Sequence, residues 1–138
     1  MAGLLAELFA IETEYVIDRA KQERGLRMVI ERPSAMAWVA ECGGQVVGMV
    51  TAQTVVSTAE GGESAWIEDV VVRAGWRRRG IGRKLVRAVE QWCAGRGVAR
   101  MQLLADHTNA AALEFYGQRG WTTTRMVVIR KRVEEGEL

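Results

Sequence analysis

A chain of 138 residues with 49% apolar and 26% charged side chains and a net charge of only +2 has the size and balance of one globular domain with its own core. Its apolar runs are far too short to span a bilayer, and its first residues lack the charged, apolar, small order of a signal peptide. Two cysteines outside any C-x-x-C pattern read as thiols kept reduced in a cytoplasm, and a single histidine, His107, excludes His-based metal sites and Ser-His-Asp triads.

In chain order, Leu4, Leu5 and Leu8 share one side of a short helix over 1–10. Asp18 is placed to cap a second helix carrying Ala20, Leu26, Val29 and Ile30, and Pro33 marks its end. Met36–Glu41 alternates as a strand, Gly43-Gly44 makes a tight turn, and Gln45–Val56 forms a long strand with Gly48 as a candidate bulge. Ser57–Gly62 reads as a loop. Ser64–Val72 is a further strand, whose alternation groups Trp66, Glu68, Val70 and Val72 on one face and Ile67, Asp69 and Val71 on the other. After a glycine turn, Leu85, Val86, Val89, Trp92 and Cys93 mark the apolar stripe of a helix over 80–95. Val98–Leu104 is the next strand, parallel to Ser64–Val72 through a right-handed crossover. Thr108 or Asn109 caps a helix through Tyr116 that stops near Gly120. Strands over 121–124 and 126–133 and a frayed acidic tail over 134–138 complete a mixed α/β domain.

The charge is unevenly placed. Residues 73–100 hold nine Lys/Arg against one acid, Glu90, a local +8 that leaves −6 for the remainder. Arg77, Arg78, Arg79, Arg83 and Lys84 crowd the glycine turn and the first helical turn, where cations oppose the helix dipole unless an anion sits there. Gly80 and Gly82 free backbone N–H groups at the same point, so the stretch reads as a phosphate cradle. A Walker loop is excluded because no Ser or Thr lies between Val70 and Met101. Nucleic acid is the weaker choice of partner, since the charges surround a turn and do not line a helix face.

The order Arg77-x-x-Gly80-x-Gly82, between a valine-rich strand and an amphipathic helix, resembles the pyrophosphate-binding motif of the GNAT superfamily of acyl-CoA-dependent N-acyltransferases. A second motif, Asn109-x-x-Ala112-x-x-Phe115-Tyr116-x-x-x-Gly120-Trp121, is similar to the family's other signature and falls where the family places it. The resemblance covers most of the chain, from about Ala35 to Lys131. It implies a single acetyltransferase domain over 1–138, with a twisted central sheet whose parallel strands, 64–72 and 98–104, splay apart at their C-terminal ends. The chain departs from the family in opening on a helix without the usual first strand, which bears on the acceptor side.

The family assignment implies acetyl-CoA as cosubstrate and no metal. Its phosphates would lie on Arg77, Arg78, Arg79, Gly80, Ile81, Gly82 and Arg83, and its arm along Val70, Val71 and Val72 and against Asn109. Val70 is expected to offer its N–H to the thioester oxygen. Glu68 would be the general base, with a salt-bridged strand acid as the plain alternative. Asp69 would be structural or substrate-orienting. Tyr116 would protonate the leaving thiolate, since a phenol of pKa ~10 keeps its proton at neutral pH; the plain alternative is ring packing. Trp38 and Trp66 are candidates for an acceptor pocket. The expected partner is a primary amine of a small molecule or protein, with no nucleic acid and no membrane. Acids such as Glu12, Glu14, Asp18 and Glu63 would suit a cationic acceptor, and GNAT domains are often homodimers. A non-catalytic acyl-CoA-binding regulatory domain is the alternative function.

Overall fold

The computed structural model describes residues 1–11 and 17–134, with backbone alone over 7–11. The tail residues 135–138, Glu12, Glu14 and the Leu8 side chain lie outside what is described. The chain divides into two compact units, Met1–Leu104 and Ala105–Leu138.

The first unit opens on helices α1 (Ala2–Ile11) and α2 (Arg19–Glu31). Asp18 caps α2 as its sequence position requires, its carboxylate accepting from the Lys21 amide at 3.2 Å. Strands β1 (Ala35–Cys42) and β2 (Gln45–Ser57) form an antiparallel hairpin. Gly43 and Gly44 both have positive φ, 57° and 78°, as a two-residue turn between right-twisted strands demands. Strand β3 (Gly62–Val72) pairs antiparallel with β2, and the crossover helix α3 (Ile81–Gly95) leads into β4 (Met101–Leu103), parallel to β3. The sheet order is β1-β2-β3-β4.

Helices cover both faces of this sheet. Leu85, Val86, Val89 and Cys93 form the buried stripe of α3. On the other face, Ala2, Leu4 and Leu5 of α1 and Leu26 of α2 pack with Met49 and Val71. Gly48 and Met49 are neighbours in β2 and so point to opposite faces. The expected bulge near Gly48 is present one residue earlier, since Ala40 pairs with Gly48 but Glu41 with Val46, leaving Val47 as the extra residue. Gly48 itself answers a packing constraint: a Cβ there would stand 3.0 Å from Leu85 Cδ1, 3.2 Å from Ile81 Cγ2 and 3.3 Å from the Val71 carbonyl oxygen.

β4 is shorter than the stretch 98–104 read from the sequence, and its pairing with β3 ends at Ile67↔Leu103. Glu68–Val72 therefore has a ladder partner on the β2 side alone, so the parallel strands part toward the C-terminal end of β3.

The second unit holds α4 (Ala110–Gly117), capped by Asn109, whose Oδ1 accepts from the Ala112 amide at 3.1 Å. The expected strands over 121–124 and 126–133 are not formed among the described residues. β-Branched residues favour a strand, but a strand exists only where a neighbour supplies a ladder. Here Met126, Val127, Ile129 and Val133 are instead exposed.

Gly48→Ala is expected to lower stability by ~1–3 kcal/mol, because the Val71 backbone cannot yield as a side chain does. Chemical denaturation checks this, and an unchanged midpoint would contradict the close approach of α3.

Candidate active site

The loop leaving β3 is held by short-range contacts. The Trp76 amide donates to the Arg73 carbonyl at 3.0 Å, and the Arg79 guanidinium lies 4.9 Å from the centroid of the Trp76 ring. Gly75, Arg78 and Gly80 have φ of 87°, 61° and 78°, so the chain turns three times through the left-handed region. Arg78 does so at the steric cost that a Cβ brings. Gly80 occupies the N-cap of α3 with no side-chain cap hydrogen bond, and no acid lies in the first turn. The helix start thus keeps its dipole, with no anion in its own first turn or cap to answer it, while Arg83 and Lys84 add positive charge. These are the features of an oxyanion or phosphate site. Ile81 and Gly82 supply amides to the same turn. Arg77 turns partly inward, with its Nε donating to the Val72 carbonyl at 3.1 Å.

The gap side of β3 carries the unexpected feature. Gly48 pairs with Val72 and Met49 with Val71, but Thr51 pairs with Glu68 and Ala52 with Ile67. β3 therefore contains one extra residue within Asp69–Val70, and Asp69 takes φ 56°. The extra residue flips the side-chain phase. Glu68 and Val71 fall on the Met49–Thr51 side, toward α1 and α2, while Val72 falls on the α3 side with Gly48. The grouping of Glu68 with Val70 and Val72 on one face does not hold.

Glu68 is exposed, and no ion pair holds it among the described residues. Asp69 is half-buried, and the buried Thr51 hydroxyl donates to its Oδ2 at 3.0 Å and lies 3.1 Å from the Glu68 carbonyl oxygen. Burial, opposed by the Thr51 hydrogen bond and aided by the Glu68 charge, pushes the Asp69 carboxyl up from 3.8 to about 6. The sequence held a signal for this. Strict alternation would have put a carboxylate between Ile67 and Val71 on a core face, a conflict that a bulge relieves.

Other residues take plainer places. Trp38 packs edge-to-face on Trp92 with ring centroids 5.6 Å apart, and Trp66 is half-buried in β3. Cys42 and Cys93 are free thiols, and burial pushes Cys93 upward. Glu63 pairs with Arg96 at 3.2 Å and Asp18 caps α2, so neither stands as a loose charge awaiting a cation. In the second unit Asn109 caps α4, and Tyr116 is half-buried with its ring 5.1 Å from Phe115 and 5.7 Å from Trp121. His107 is exposed beside Asp106. Among the described residues no cluster of acids, histidines and cysteines could hold a metal ion, and no helix is long and apolar enough to cross a membrane.

The parallel-strand gap lies beside a basic, glycine-capped helix start, and comparison with known proteins gives the class. The model of the acetyltransferase (GNAT) family matches residues 4–121, and the chain belongs to this family. N-acetyltransferase family 8 member 2 of Rattus norvegicus is 34% identical over 98 residues, which are 70% of this chain and 43% of that protein. The chain thus spans less than half the length of that relative. A transcriptional regulator from Bacillus halodurans superposes with a TM-score of 0.84 at 24% identity, covering 96% of this chain and 91% of that one. An aminoglycoside acetyltransferase from an uncultured soil metagenomic sample, solved in complex with sisomicin, superposes with a TM-score of 0.75 at 23% identity over 96% of this chain and 84% of its own. These two share the fold.

The raised Asp69 pKa has a consequence for stability. An acid whose folded pKa exceeds its unfolded value binds protons more tightly in the folded state, so stability falls as pH rises from about 4 to about 6. Holding Asp69 ionised at pH 8 then costs up to about 3 kcal/mol. Asp69→Asn keeps an acceptor for Thr51 and is expected to raise the melting temperature at pH 8 and to change it little at pH 4. Equal shifts at both pH values would contradict burial as the cause.

Proposed function

We propose that the chain is an acetyl-CoA-dependent N-acetyltransferase for a primary amine carried by a small molecule or a protein. The single observation that carries this reading is the start of α3, a glycine-capped helix end with three arginines before it, Arg83 and Lys84 in its first turn, and no acid in that turn or at its cap. That donor set fits a pyrophosphate, which needs several amides and fixed positive charge at short range. Acetyl-CoA supplies the acetyl thioester when bound.

In this reading Gly80, Ile81 and Gly82 give their amides to the phosphates, and Arg77, Arg78, Arg79 and Arg83 neutralise their charge. The backbone of Val70, Val71 and Val72 has no β4 partner and offers its edge to an extended arm in the manner of an added strand, with Arg77 already donating to the Val72 carbonyl. Val70 directs an amide toward the thioester oxygen, where negative charge develops. A carboxylate of the Glu68–Asp69 pair takes the proton of the incoming ammonium. By the chain's resemblance to the family's second motif, Asn109 is assigned to the arm and Tyr116 is the acid for the departing sulfur. A cationic acceptor suits the acidic balance outside residues 73–100. That an aminoglycoside acetyltransferase solved in complex with sisomicin shares this fold supports a small-molecule acceptor.

Calorimetric titration of acetyl-CoA is expected to show binding that Arg79→Glu and Gly82→Asp each weaken at least tenfold, because both place negative charge against the phosphates. Amine-dependent thiol release across a panel of amines, amino acids, aminoglycosides and peptides is expected from the wild type. Wild-type affinity in both variants would remove the phosphate reading, and binding without any acceptor-dependent release would remove the enzymatic one.

A further inference from the structure

We infer that Asp69, and not Glu68, is the residue that removes the proton from the acceptor ammonium, with Thr51 as its positioning residue. The inference rests on the N-acetyltransferase reading above and adds the identity of the base. Its first support is the register shift. The extra residue within Asp69–Val70 lies directly beyond Ile67↔Leu103, where β3 loses β4, so Asp69 stands at the mouth of the gap that would receive the thioester.

The second support is the difference in restraint between the two acids. Glu68 is exposed with no ion-pair partner among the described residues, so nothing fixes its long side chain. Asp69 has Oδ2 tied to Thr51, while Oδ1 has no protein partner among the described residues and is not sealed off as a buried orphan. One oxygen held and one available is the arrangement of an oriented base, whereas an untethered carboxylate must be ordered at each turnover.

Hydrogen-bond arithmetic supplies the third. Thr51 has one hydroxyl proton and two acceptors within reach, the Glu68 carbonyl and Asp69 Oδ2. When Asp69 is ionised, that proton is drawn to Oδ2. When Asp69 has taken a proton, Oδ2 can donate to the Thr51 oxygen, and the hydroxyl turns its proton to the Glu68 carbonyl. Each protonation state thus keeps a complete local network, which lets Asp69 gain and lose a proton without leaving a buried hydroxyl unpaired. The charged or titratable neighbours are few. On β3 it is Glu68; from β2 the facing residues Met49, Thr51 and Gln53 are neutral; among the described side chains of α1, Ala2–Ala6, none is charged; and the charged residues Arg19, Lys21, Glu23, Arg24 and Arg27 of α2, which packs on this face through Leu26, are exposed.

The step balances simply. The ammonium gives one proton to Asp69, which later passes it to solvent. The neutral nitrogen forms a C–N bond to the acetyl carbon as the C–S bond breaks, and the second nitrogen proton compensates the one delivered to sulfur. A carboxyl pushed up to about 6 by burial is ionised yet basic enough to do this at neutral pH.

The test follows kcat/KM against pH for an amine that the wild type acetylates, with acetyl-CoA affinity measured separately. The wild type is expected to lose activity below an apparent pKa of about 6. Asp69→Asn should lower kcat by about 10²-fold or more with acetyl-CoA affinity unchanged, lose that acidic limb and recover as rising pH deprotonates the amine itself. Glu68→Gln should cost less than tenfold and keep the limb. Thr51→Val should move the limb to higher pH, since it removes a donor that favours the ionised form, and Thr51→Ser should restore it. Circular dichroism melts establish that each variant is folded. A folded Asp69→Asn enzyme that keeps the limb, or a Glu68→Gln enzyme that loses it, overturns the assignment. A wild type that binds acetyl-CoA but turns over no amine overturns the reading beneath it.

Discussion

One inserted residue in β3 governs the arrangement of the whole site. A strand packed on both faces must alternate, and the valine-rich end of β3 is packed by α3 on one side and by α1 and α2 on the other. Adding a residue within Asp69–Val70 changes which side chains reach which face, so Ile67 faces α3 while Val71 faces α1, four residues apart in sequence. The same irregularity sits where β3 and β4 part, and it turns Asp69 off the ladder through φ 56°. Without it, two acids would occupy consecutive regular positions and one would be pressed into the core. With it, both remain near the edge of the gap.

The gap and the phosphate loop depend on this geometry in sequence. β3 must run far enough past its last bond to β4 to leave an unpaired edge, and then turn sharply into α3. Turning consumes three left-handed residues, Gly75, Arg78 and Gly80, of which two are glycine and pay no steric penalty. α3 is then pulled close to the sheet by the absence of a side chain at Gly48, which lets Ile81 and Leu85 approach the β2 backbone. The helix start is thereby fixed relative to the strand edge. A site that grips one end of a long cosubstrate by its phosphates and aligns the other with a strand needs that fixed relation more than it needs any single contact.

The sequence made much of this legible because the signals were local. Asp18 and Asn109 cap helices, Gly43-Gly44 closes the hairpin, and the stripe Leu85, Val86, Val89 and Cys93 marks the buried side of α3, all as short-range chemistry requires. The basic glycine turn into α3 was readable for the same reason, since its charge and glycines are contiguous. The bulge was not, because register is a property of two strands and the alternation of one strand does not contain it. The stretch 126–133 failed in the same way. Its β-branched run Val127-Val128-Ile129 favours extended backbone, but the neighbour that would make it a strand is not encoded within it.

Two neighbouring carboxylates illustrate how placement outweighs identity. Glu68 and Asp69 carry the same functional group one residue apart, and the sequence favoured Glu68 because regular alternation aimed it with Val70 and Val72. The register shift removes that reason and leaves Glu68 exposed, without an ion-pair partner among the described residues, while Asp69 gains a hydroxyl donor and a desolvated setting. Withdrawal from water strengthens a carboxylate as a base. One that is partly buried and singly hydrogen-bonded becomes a better base while remaining ionised. The left-handed backbone and the desolvation at Asp69 are costs to β3, and the Thr51 hydrogen bond offsets part of them.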